Sequence, residues 1–324
     1  MRSRVMRMAV AVVVFLVGGA CLWDYDTLRE ESLGQAEIAA IVGGDLHKHS
    51  DAFYDAKITY TQDVLAKHPK NAADRYDDLA VAQAKRGLFK DALATLAAKD
   101  AEFPDAYTTH ANRGTFLAMQ GDLAGATKEL DRAIAINPDA HFGREPYQLK
   151  LLAYLARVVA DPTLASRENF LGIDAGSWAG ESKVITNLGR PAKRRGKPDP
   201  AILAIAGLVR FGDAEGSPHV WWALGCAFVA QGDSQLAIRA FRRAELLGHP
   251  RARADGAVVA QAIKTNDLVC CRDPAKDPSA EALWGKVSKA LDAEWAIGHA
   301  ADARRQTSED AKLARHRFVD VFGY

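Results

Sequence analysis

A glycine, an alanine and a proline each recur at the same interval in this chain, and that interval constrains the fold more than any composition figure. Gly87 and Gly121, Ala92 and Ala126, and Pro104 and Pro138 are each separated by 34 residues. A unit of this length cannot bury its own apolar stripe, so copies must stack on one another. Three segments carry the pattern: Tyr76 to Pro104, His110 to Pro138, and Trp221 to Pro250. Each reads as two antiparallel helices. Small residues let the axes approach closely: Ala80, Gly114 and Gly225 on the first helix, and Ala92, Ala126 and Ala237 on the second. Larger ones, Leu79, Leu96, Phe228 and Phe241, fill the space between. Gly87, Gly121 and Gly232 stand where the first helix ends and a left-handed backbone is needed. The prolines stop the second helix.

The residues resemble the tetratricopeptide (TPR) repeat pattern. The third segment reads Trp221-x-x-Leu224-Gly225-x-x-Phe228, followed by Gly232, Ala237, Phe241 and Ala244. The second has Gly114, Leu117, Gly121, Ala126, Leu130, Ala133 and Pro138; the first has Tyr76, Leu79, Ala80, Gly87, Ala92, Leu96 and Pro104. Lys99 replaces a small residue of the family pattern, and the third segment ends one residue late at Pro250. The resemblance implies an all-α fold, a TPR-type right-handed superhelical solenoid of antiparallel helix pairs. It is similar to TPR proteins of bacterial envelopes.

The same resemblance implies a concave groove. Its inward positions fall on Asp77, Val81, Ala84 and Lys85, on Ala111, Thr115, Ala118 and Met119, and on Trp222, Cys226, Val229 and Ala230, with Asn112 beside them. The expected partner-binding set is Asp77, Val81, Lys85, Ala111, Asn112, Thr115, Met119, Trp222, Cys226 and Val229. Relatives that grip a peptide's terminal carboxylate use a Lys/Arg/Asn set, of which only Lys85 and Asn112 are present, so no such clamp is expected. An extended or helical apolar segment fits this lining better. Trp222 is its expected anchor, the alternative being that Trp222 packs against the next helix.

Degenerate units flank the clear ones. Ser50 to Pro69 reads as the second helix of a preceding pair, with Ser50 as its N-cap. Arg144 to Val159 reads as a further first helix, and Pro200 to Phe211 as another apolar helix. Between them, residues 160–199 form an irregular insertion with a basic cluster, Arg190 to Lys197. Beyond Pro250 a helix is expected around Asp255 to Lys264, then a long capping helix from Ser279 to Arg304, then an amphipathic piece, Glu309 to Val321. The organisation is therefore 1–20 as leader or anchor, 21–49 as N-terminal segment, 50–159 as repeats, 160–199 as insertion, 200–251 as repeat and 252–324 as helical cap.

Arg2, Arg4 and Arg7 precede an uncharged apolar run and the small residues Gly18, Gly19 and Ala20. That is the layout of a secretory signal. The run from Met8 to Trp23 is 16 residues, short of the ~20 that span a bilayer comfortably. Cleavage after Ala20, lipidation of Cys21, and retention as an uncleaved anchor all remain open. The lipidation match is partial, because Gly18 stands where a branched apolar residue is usual. The expected location is exported: the periplasm, or a membrane-anchored form facing it.

Charge and chemistry narrow the function. The 324 residues carry 42 Lys+Arg against 41 Asp+Glu, a formal net charge of +1, which disfavours nucleic-acid binding through bulk charge. Four cysteines are too few for a disulfide scaffold. Cys270 and Cys271 are adjacent and read as loop thiols, with a vicinal disulfide as the sharper alternative. His47, His49 and Asp51 lack an evident further ligand, and their expected role is a polar helix start with no metal site. His141, Arg144 and Glu145 read as a polar turn. No nucleotide-binding, nucleophile-elbow or zincin motif occurs, so no catalytic residue and no cofactor are expected. The functional expectation is a non-enzymatic scaffold of the cell envelope that binds a protein or peptide partner. Its rivals are an envelope enzyme built on His141, Arg144 and Glu145 or on His47 and His49, and an accessory lipoprotein of outer-membrane assembly or secretion.

Overall fold

The computed structural model describes residues 22, 35–67, 73–138, 144–172, 199–265 and 278–322. The expected leader, Cys21, His141, the basic cluster from Arg190 to Lys197, Cys270 and Cys271 lie outside the described residues. Among the described residues the chain is all-helical and contains no β-strand.

Local chemistry accounts for the helix boundaries. A short helix α1, Gln35–Val42, precedes α2, Asp51–Lys67. Ser50 caps α2, its Oγ accepting the Phe53 amide at 3.0 Å. The first two clear units are α3, Ala73–Lys85, with α4, Phe89–Glu102, and α5, Tyr107–Met119, with α6, Leu123–Ile136. The third clear unit is α9, Pro218–Gln231, with α10, Ser234–Leu246. Gly87, Gly121 and Gly232 adopt φ of 73°, 84° and 88°, the left-handed conformation that lets the chain reverse. Asp122 and Asp233 follow two of these glycines and cap the second helices, accepting the Gly125 and Leu236 amides at 2.9 and 3.1 Å. Inside the third clear unit, a Cβ at Gly225 would lie 2.5 Å from the Phe241 ring, so only hydrogen lets that ring seat.

The two flanking helices form a pair of their own. α7, Arg144–Ala160, packs against α8, Pro200–Phe211, although the insertion separates them in sequence. Asp199 caps α8 through the Ala201 amide at 2.8 Å. The series continues with α11, Ala252–Thr265.

The cap differs from the expected two pieces. A single helix α12, Pro278–Leu313, runs for 36 residues, about 54 Å at 1.5 Å per residue. No glycine or proline interrupts the stretch from Arg304 to Leu313, so nothing ends the helix there. A short α13, Phe318–Phe322, follows. Over its first half α12 packs on α10 and α11. Arg239 pairs with Glu294 at 2.7 and 2.8 Å, and Arg242 with Asp292 at 2.8 Å twice. Further along, α12 reaches the start of the chain. Asp302 accepts the Leu46 and Lys48 amides at 2.9 and 3.2 Å, Ser50 donates to Asp310 at 2.6 Å, and Arg305 pairs with Asp45. Phe53 of α2 meets Phe322 of α13 edge-on at 5.3 Å. The last helices of the series thus cover the first one, and α1 inserts Ile38, Ile41 and Val42 into the main core beside α8 and α10.

Candidate functional site

The expected groove residues lie on α3, α5 and α9, and eight of the ten are buried: Asp77, Val81, Ala111, Asn112, Thr115, Trp222, Cys226 and Val229. Lys85 and Met119 are half-buried. Other residues of the chain cover these eight.

On α3 and α5 the cover is polar at one end and apolar at the other. Lys99, the departure from the repeat pattern, places Nζ 2.5 Å from Asp77 and 2.5 Å from the Thr108 hydroxyl. Asn112 donates to the other Asp77 oxygen at 3.3 Å. Burial pushes the Asp77 carboxyl up to about 6 against the opposing pull of Lys99. Val81 and Ala84 share a hydrophobic cluster with Leu22 of the N-terminal segment. Gln148 of α7 bridges to Thr115 at 3.4 Å. At the rim, Lys85 and Lys48 share Asp213 at 2.6 and 2.8 Å, and Lys48 also meets Glu215 at 3.0 Å. Burial raises an acid in such a place, but the two lysines outweigh it and hold Asp213 well below the ordinary carboxylate range. Burial lowers Lys85 despite Asp213. Asp213 itself sits at φ 55°, in the left-handed region.

Trp222 takes the packed alternative. It is fully buried, stacks on His249 at 4.3 Å between ring centroids, and donates its indole N–H to Asp255 at 2.7 Å. Arg251 holds the second Asp255 oxygen at 2.8 Å. His219 lies edge-on to His249 at 5.3 Å and within 3.3 Å of the Tyr154 hydroxyl. Burial drives His219 down to about 4; burial, then His219 and Arg251, drive His249 down to about 2. Both imidazoles are neutral at pH 7. Burial raises the Cys226 thiol well above its usual value, which removes the thiolate a nucleophile needs.

The remaining sequence candidates have local partners. His49 stacks on Phe53 at 3.9 Å and faces Glu309 at 3.0 Å; His47 adopts φ 54° near Asp45. Glu145 accepts the Tyr107 hydroxyl, and Arg144 lies against Phe211. Among the described residues, no group of three or more His, Cys, Asp and Glu side chains is placed to hold a metal ion. No described helix is long and apolar enough to cross a membrane.

Sequence reasoning missed two clusters. The Asp213 hub joins residues 48, 85, 213 and 215, and no local pattern links them. The His219–His249–Trp222–Asp255 cluster had one signal: His249 and Pro250 close the third segment just past its second helix, and His249 stacks back on Trp222 of its first. No protein-family model matches this chain, and no curated protein matches it in sequence.

Proposed function

We propose that this chain is a non-enzymatic protein-interaction scaffold of the cell envelope, a TPR-type right-handed superhelical solenoid exported through its N-terminal segment. The observation that carries this reading is the repeat itself. Helix pairs α3/α4, α5/α6 and α9/α10 reverse at glycines in the left-handed conformation and pack through the small residues the pattern specifies. Such stacks present long surfaces to partner segments. A fold alone does not fix a role, so the reading stands on its test.

The half-buried groove residues, Met119 and Lys85, are where a partner first meets the inner face. A photo-crosslinking side chain placed at Met119 in the exported full chain is expected to yield an adduct of defined mass. The same group at Thr127, exposed on α6, is expected to yield none. Equal yields, or none from Met119, overturn the groove reading. Intact mass of the mature protein tests the envelope part: loss of residues 1–20 or a diacylated Cys21 supports export, and a full-length chain in the cytosol removes it.

A further inference from the structure

We propose that Arg144 anchors an oxyanion-binding site where the start of α7 meets the end of α8. Its side chain is 2% exposed, yet no carboxylate pairs with it among the described residues, and Nη1 has no hydrogen-bond partner. A guanidinium cannot shed its proton at any physiological pH, so burial without an anion is strongly unfavourable.

Among the described residues, the groups packed on Arg144 suit a cation. The Phe211 ring covers one side, its centroid 4.9 Å from Cζ. The α8 backbone lies against the group at Gly207, where an added Cβ would sit 2.8 Å from Nε. Arg210 brings a second guanidinium to the same ring at 5.3 Å. The adjacent acid, Glu145, is turned toward α5 and accepts the Tyr107 hydroxyl. Arg144 also opens a 17-residue helix, whose first amides lack intrahelical acceptors and carry the positive end of its dipole. A buried guanidinium with an unpartnered Nη1 thus stands at a helix start with no carboxylate paired to it among the described residues. The arginine fork matches two oxygens on one centre, so the ligand is a carboxylate or phosphate group. This inference does not depend on the partner-binding reading above.

The test is thermal unfolding of the full chain titrated with sodium phosphate and, separately, sodium acetate, each against sodium chloride at equal ionic strength. An ion that binds only the folded form raises Tm saturably. The expected result is a saturable rise in wild type with at least one oxyanion and none in Arg144→Met, which keeps the stem against Phe211. A response to phosphate alone identifies a phosphate-bearing ligand; a response to acetate identifies a carboxylate. If Arg144→Met lacks the wild-type helical signal, Arg144→Lys replaces it, keeping the charge without the fork, with the midpoint expected at tenfold or more higher oxyanion concentration. No rise beyond chloride in wild type, or an unchanged response in the folded variant, overturns the proposal.

Discussion

The indole N–H of Trp222 donates to Asp255 at 2.7 Å with both residues buried, which joins the first helix of the third clear unit to the helix after it. Burial alone raises the Asp255 carboxyl, and Arg251 and the indole oppose that rise. Trp222→Phe keeps the stack on His249 but withdraws a donor from a buried acid. Its expected cost is about 1–3 kcal/mol in urea unfolding. Trp222→Ala also opens a cavity and is expected to cost about 3–5 kcal/mol. Equal losses for the two variants would show that the hydrogen bond, not the ring, holds this junction.

Lys99 and Asp77 form a pair with each side chain 1% exposed. Lys99→Met leaves Asp77 buried beside Asn112 without its cation, with an expected loss of about 3–5 kcal/mol. The double variant Lys99→Met with Asp77→Leu removes the stranded charge and is expected to recover most of that loss. A double-mutant cycle in urea measures the coupling. Additive losses would mean the two side chains act independently.

Buried histidines and carboxyls shape the acid limb of stability. His219 and His249 titrate at about 4 and about 2 in the folded chain, below the ordinary 6.5. Their contribution is present above pH 6.5 and lost as pH falls, toward 4 for His219 and toward 2 for His249, because the unfolded chain binds those protons first. Asp77 acts in the opposite sense. Raised from 3.8 to about 6, it contributes most at low pH and loses that contribution as pH rises through 6. Near pH 5 the two histidines favour a loss of stability on acidification, and the raised carboxyls of Asp77 and Asp255 oppose it. His249→Phe removes one of those protons and is expected to flatten the profile there. Urea midpoints between pH 4 and 7 test this, and an unchanged slope in the variant contradicts it.

Asp302 is 4% exposed and accepts two backbone amides from a segment more than 250 residues away. Asp302→Ala strands the Leu46 and Lys48 amides, for an expected cost of about 1–3 kcal/mol. Hydrogen exchange is expected to rise at residues 46 and 48 and stay unchanged in α5 and α6. Uniform acceleration across the chain would instead show that the clasp is part of one cooperative unit.

The amino-acid sequence by itself determined the helix pairs. A 34-residue period, glycines that adopt positive φ, and Asp122 and Asp233 directly after two of them act within a few residues, so each helix end is written where it occurs. Ser50 at the start of α2 was legible for the same reason. The candidate site was legible only as a set of positions. Inward-pointing Trp222 and Val81 follow from helical spacing, but whether solvent or other chain covers them depends on residues far away in sequence. Tertiary structure alone decided that Leu22 joins the cluster around Val81, that Asp213 gathers Lys48 and Lys85, and that α12 returns to residues 45–50. Charge pairs and apolar clusters across about 60 to 260 residues form because three-dimensional closure brings them together, and no local propensity records them.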